Sequence, residues 1–396
     1  MNKVKGSLFF IVFVAMLGLM LIAPIMPPLI RELGLQESHS GWIVSIGSVM
    51  MALTAPLWGK LSDKFGRKPI ILVGFGGMAI SCLLFAVVLF SGLQHWIRGG
   101  LLLGWMIATR SLIGIFIPAI LSSSQAYMGD VTEGEERTHG MALISAANGL
   151  GLVLGPAIAG AFTLIGLLWP LYFGIFTAVC ALVIAKVMIP PAPPMRQEKR
   201  VKDGVLQPGL GLYLMAGFST MIGIVTLQVI GGFYLQDRLL LTSGETARAV
   251  SFGLMCSGVA MLLVQVIQMK LLRWQPMRMI IWGSVCSAVG MALFLVPGTM
   301  SLYYGAFFLF GIGAGLMMPG FMAGASLAVG KEGQGGVAGM VAAVQGLASI
   351  VAPLLSTTLY QLDSSIPFLL AGCLIALSAL VLLLSKGLRR SGRRVS

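Results

Sequence analysis

The chain has 396 residues, 57% of them hydrophobic and only 10% charged, with a mean hydropathy of +0.96 and a net charge of +13. So little polar surface excludes a soluble globule, because water-facing residues are too few to clothe one. No basic patch is interleaved with stacking aromatics, which argues against a nucleic-acid binder.

A helix that crosses about 30 Å of hydrocarbon takes about 20 mainly apolar residues. The sequence predicts twelve such spans, at 7–30, 41–59, 69–91, 99–127, 139–164, 166–188, 209–235, 247–269, 279–297, 300–329, 335–360 and 365–385. The first follows Lys3 and Lys5 as a signal peptide's apolar segment does. Its length, its prolines Pro24, Pro27 and Pro28, and the lack of a small-residue cleavage site predict a retained helix. Between the second and third spans, Gly59–Lys68 carries five charges in ten residues. It reads as a hinge whose ion pairs and helix ends form in one conformation and break in another; the bland reading is a loop that only sets topology. The fourth span holds Arg110, the only formal charge deep in a span. In the fifth, Pro156 removes a backbone hydrogen bond while Gly151, Gly155 and Gly160 allow close helix approach.

After the sixth span, the linker 189–208 is rich in proline and then basic, with Arg196, Lys199, Arg200 and Lys202. It cannot enter lipid, and it separates a six-span bundle at 1–188 from a second at 209–396. Within the second half, Gln228 and Tyr234 lie in span seven, the pair Met317-Met318 in span ten and Gln345 in span eleven. The hinge Met269–Trp274 keeps Lys270 and Arg273 but no carboxylate. Asn148-Gly149 before Pro156 is echoed by Gln345-Gly346 before Pro353, at an offset of 197 residues. Such a repeat predicts two pseudo-symmetric bundles that rock about a midplane site, with Arg110, Asn148, Gln228, Gln345 and Tyr234 as candidate substrate contacts.

With both termini in the cytoplasm, 21 of the 26 Lys and Arg face inward, while Arg31, Arg98, Arg238 and Arg248 face outward. That asymmetry fixes the expected orientation in a bacterial-type inner membrane. The tail cations Arg389, Arg390, Arg393 and Arg394 suit anionic headgroups. Cys82, Cys180, Cys256, Cys286 and Cys373 all fall in spans without a C-x-x-C, so no metal or disulfide is expected. No phosphate loop appears, hence no nucleotide cofactor and transport driven by gradients. All 13 acids and the three histidines sit at span ends or in loops. The midplane is therefore neutral or positive, a poor place for a lipophilic cation, and no catalytic constellation is visible.

Together these motifs resemble the major facilitator superfamily on its drug:proton antiporter side. Gly59 to Lys68 matches the loop signature G-x-L-x-D-x-x-G-R-K, and Arg110 with Gly114 matches the R-x-x-x-G of helix four. Gly151, Gly155, Pro156 and Gly160 resemble the G-x-x-x-G-P-x-x-x-G of exporter helix five, and Leu17-Gly18 with Pro24 and Pro27 resembles the first-helix signature. The resemblance implies an all-α fold of twelve transmembrane helices in two six-helix bundles. It implies that Asp63 is held by Arg67 near a helix end of the other half, that Gly59 and Gly66 allow that approach, and that the helix-five bend accompanies efflux. Many such exporters carry an acid inside an amino-terminal span; this chain does not. Arg110 has two readings: it bonds helix-one carbonyls freed near Pro24 and Pro27, or it presents a fork to an anionic substrate. The expected function is export of small organic molecules, drug-like or carboxylate-bearing as in citrate-like or siderophore-like compounds, by alternating access. Coupling runs through protons, with Asp63, Asp130 or Asp237 as acceptors, or through the membrane potential. An importer of organic anions and a non-transporting receptor or scaffold are the alternatives. The expected partners are substrate, protons and lipid, with the protein a monomer.

Overall fold

The computed structural model describes residues 2–132, 134–190, 209–329 and 334–392; the linker from residue 191 onward lies outside them. Before the linker come α1 (Asn2–Leu21), α2 (Met26–Glu32), α3 (Glu37–Phe65), α4 (Arg67–Leu93), α5 (Gly99–Asp130), α6 (Gly134–Phe162) and α7 (Trp169–Met188). After it come α8 (Leu210–Leu239), α9 (Ser243–Ile267), α10 (Pro276–Leu293), α11 (Met300–Leu327), α12 (Gln334–Leu362) and α13 (Ile366–Gly392). Among the described residues there is no strand, and twelve helical segments are long and apolar enough to span a membrane. Large side chains along the spans such as Leu101, Val187, Leu263 and Leu377 are exposed, an arrangement that suits lipid rather than water.

The first span is not one helix as its hydropathy predicts. It stops at Leu21 and restarts at Met26, with Pro27 and Pro28 in the first turn of α2. Proline fits a first turn because its missing N–H has no intrahelical role there. The charged hinge is also shorter than its sequence suggests. Helix α3 continues to Phe65 and α4 begins at Arg67, so the turn is Gly66 alone, at φ +93°. A side chain at that φ is strained, which makes glycine the natural residue there. The second-half hinge is a π-turn, Gln268–Leu272, closed by Arg273 in the left-handed region at φ +44°.

The helices gather into two compact units, residues 1–199 with 232–255, and residues 200–231 with 256–396, so α8 and α9 each contribute to both. In the first unit α5 lies against α3 and α4, α1 against α6 and α7, and α4 against α7. In the second, α10 lies against α11 and α13, and α12 against α13. Small residues set these distances. A Cβ on Gly313 would come within 2.4 Å of the Gly283 carbonyl oxygen, so α10 and α11 meet backbone to backbone.

Candidate functional site

Arg110 stands in the middle of α5, deep among the helices yet partly accessible. Its position is fixed by a crossing of α3 and α5. A Cβ on Gly114 would lie 2.2 Å from the Gly47 carbonyl oxygen, and one on Gly47 would lie 3.3 Å from Arg110 Cγ. The two glycines let the backbones touch and leave the arginine stem lying over Gly47. Trp58 Nε1 ties the same pair of helices by donating to the Ile115 carbonyl at 2.6 Å. Among the described residues Arg110 makes no hydrogen bond and no ion pair, so the bond to helix-one carbonyls is not formed. An arginine held this way keeps five donors for a ligand.

Helix α6 brings Asn148 one turn ahead of the glycines that seat it on α1. A Cβ on Gly151 would meet the Leu17 backbone nitrogen and the Phe13 carbonyl oxygen, each at 2.9 Å, and one on Gly155 would meet Met20 Cβ at 2.5 Å. Gly160 serves a different contact, against Ser251 of α9. Pro156 lies within this otherwise continuous helix. Asn148 Oδ1 is buried without a hydrogen-bond partner, an unusual state for an amide oxygen and one that a ligand or water would relieve.

At the end of α3 a second cluster forms. Arg67 donates Nε to Asp130 at 2.8 Å, and its Nη1 to Ser62 Oγ at 2.7 Å and to Asp63. The fork therefore joins α3, α4 and the last residue of α5. Asp130 is a site residue that the motif alone does not reveal, because it lies 63 residues from Arg67 in sequence. Gly47 is likewise silent in sequence, being one glycine among many. Gly59, expected to allow a close approach, faces open space: a Cβ there would meet nothing within 4 Å.

In the second unit Gln228 and Gln345 are partly accessible, and the backbone carbonyl of Gln345 accepts a bond from Ser349 Oγ at 2.9 Å. Tyr234, which belongs to the first unit, is fully buried, with the Arg238 guanidinium 5.3 Å from its ring centre. Met317 is buried, and its sulfur lies 3.5 Å from Thr220 Oγ1, which fits a packing role. The free cysteines are dispersed, and among the described residues no three His, Cys, Asp or Glu side chains are placed to hold a metal.

Among the described residues, twelve candidate spans, glycine-seated helix crossings and an arginine deep in a span with no acid paired to it fit a membrane carrier. The chain matches the Major Facilitator Superfamily over residues 8–353 and again over 273–395, and it belongs to that family. This is a family of transporters and not of enzymes. Multidrug resistance protein 2 of Bacillus subtilis (strain 168) is 25% identical over 379 residues, covering 91% of this chain and 90% of that protein. The class C tetracycline resistance protein of Escherichia coli is 27% identical over 365 residues, covering 88% and 87%. Among solved structures, a bacterial homolog to the human lysosomal transporter Spinster superposes with a TM-score of 0.77 at 13% identity, over 97% of this chain and 96% of that one.

Proposed function

We propose that this protein exports small organic molecules bearing a carboxylate or similar anionic group, with Arg110 as the anion contact and Asn148 as a polar neighbour on α6. The observation that carries this reading is a guanidinium deep in the first unit with no carboxylate beside it. An unpaired buried cation is costly and marks a binding site in a membrane protein. No acid lies within the apolar interior of any span, so a cationic drug would find nothing to offset its desolvation. A cytoplasm negative by about 100 mV favours outward movement of each substrate negative charge by about 2.3 kcal/mol. Export direction is supported by relatives whose names denote multidrug and tetracycline resistance. Efflux of drug-like compounds by proton exchange is the second reading, favoured by those same names.

The test is substrate-dependent current in proteoliposomes held at a defined potential, with citrate as the anionic probe and tetraphenylphosphonium as the cationic one. Citrate should carry current in the native protein, and Arg110→Ala should abolish it while leaving insertion intact. Current with tetraphenylphosphonium alone would remove the anion reading.

A further inference from the structure

We propose that Arg31, Glu37 and Asp237 form a charge latch, in which the α8 carboxylate controls opening at the end of the spans opposite the Arg67 cluster. Arg31 lies in the last turn of α2, Glu37 begins α3 and Asp237 lies in the last turn of α8, all three within the first unit. The guanidinium faces two acids at once. It grips Asp237 with both terminal nitrogens, Nη1 to Oδ1 at 2.6 Å and Nη2 to Oδ2 at 2.8 Å. Glu37 Oε1 receives Nη2 at 3.0 Å and Nε at 3.3 Å, and Gln236 Oε1 receives Nη1 at 3.2 Å. Below it the Phe233 ring centre is 5.2 Å from the guanidinium carbon, a cation–π contact on a fully buried ring.

The two acids have different standing. Glu37 is six residues from Arg31 and stays beside it whatever α8 does. Asp237 is 206 residues away and meets the arginine only when the end of α8 is seated. The same end of α8 closes on α2 through Gly232, where a Cβ would lie 2.6 Å from Pro27 Cγ. Glu37 thus presents the fork and Asp237 accepts it, so the bond can break and re-form without stranding the cation. A bidentate arginine–carboxylate pair is directional enough to serve as such a catch. Half of the Asp237 side chain reaches solvent, which keeps the bond weak enough to open.

Spin labels at Trp96→Cys and Leu240→Cys in a cysteine-free full-length protein would measure the latch end, since both positions are exposed loop residues on that side. Asp237→Asn should raise the long-distance population about threefold, the size expected for a half-exposed ion pair. Glu37→Gln should change it less than about twofold by the same reasoning. Where a variant fails to fold, the native protein gives the answer through salt, because raising NaCl to about 1 M screens the pair and should widen the distance distribution in the same direction. Distances that respond neither to Asp237→Asn nor to salt would overturn the latch, and so would a Glu37→Gln effect larger than that of Asp237→Asn.

Discussion

Gly114 and Gly47 show how two residues without side chains place one with a charge. At Gly114 an added Cβ meets a backbone oxygen at 2.2 Å, which cannot rotate away, so α3 and α5 must separate. At Gly47 the nearest atom is Arg110 Cγ at 3.3 Å, part of a flexible side chain. Overpacking that displaces backbone costs about 1–3 kcal/mol, and a yielding side chain costs less. Gly114→Ala should therefore lower the thermal unfolding midpoint in detergent clearly more than Gly47→Ala does. Gly47→Ala should instead weaken citrate-dependent current, because it pushes the arginine rather than the helix. Equal midpoints for the two variants would show that the crossing is looser than the contact distances imply. Of this arrangement only Arg110 and Gly114 could be read from sequence, through their match to the R-x-x-x-G of the resembled family. Gly47 carried no signal, since nothing in a single sequence says which glycine of α3 faces α5.

Helix ends bring together what the loop signature separates. Arg67 reaches Asp63 and Ser62 on α3 and Asp130 on α5, so one planar fork staples three helices at one end of the unit. A lysine gathers its three donors on one nitrogen and lacks the spread of a planar fork to reach all three partners. Removing the cation leaves two carboxylates facing each other with little solvent, since Asp63 and Asp130 side chains are only 28% and 18% exposed. Arg67→Ala should cost about 1–3 kcal/mol, between the values for exposed and buried pairs. Asp130→Asn keeps an acceptor and should cost less. Thermal unfolding of Arg67→Ala, Asp130→Asn and the double variant closes the cycle, and strict additivity would mean the two residues do not interact. The hinge was legible as a charged break between spans because hydropathy falls there. Its compression into Gly66 was not, because Lys60 to Phe65 are polar enough to read as loop yet stay helical at the end of α3.

At the scale of the whole chain, hydropathy made the twelve spans legible because lipid imposes one rule on every segment: about 20 apolar residues with all backbone bonds internal. Departures from that reading occur where the backbone rule is relaxed, at the α1–α2 break and at the π-turn after α9. Pairings across long sequence distances, such as Arg31 with Asp237, leave no periodic trace and needed coordinates. Charge placement gives the remaining global property. The loop after α9 carries Lys270 and Arg273, whereas the turn between α8 and α9 is short and is followed by Glu245 and Arg248. The sequence expectation puts 21 of the 26 cations on the side of the termini, so reversing the chain would carry nearly all of them across the bilayer. Cysteines placed at Leu240, 90% exposed, and at Leu271, 76% exposed, report the two sides in a cysteine-free background. In intact cells an impermeant maleimide should label Leu240→Cys at once and Leu271→Cys only after permeabilisation. The opposite pattern would put the termini outside and overturn the orientation that the charge asymmetry predicts.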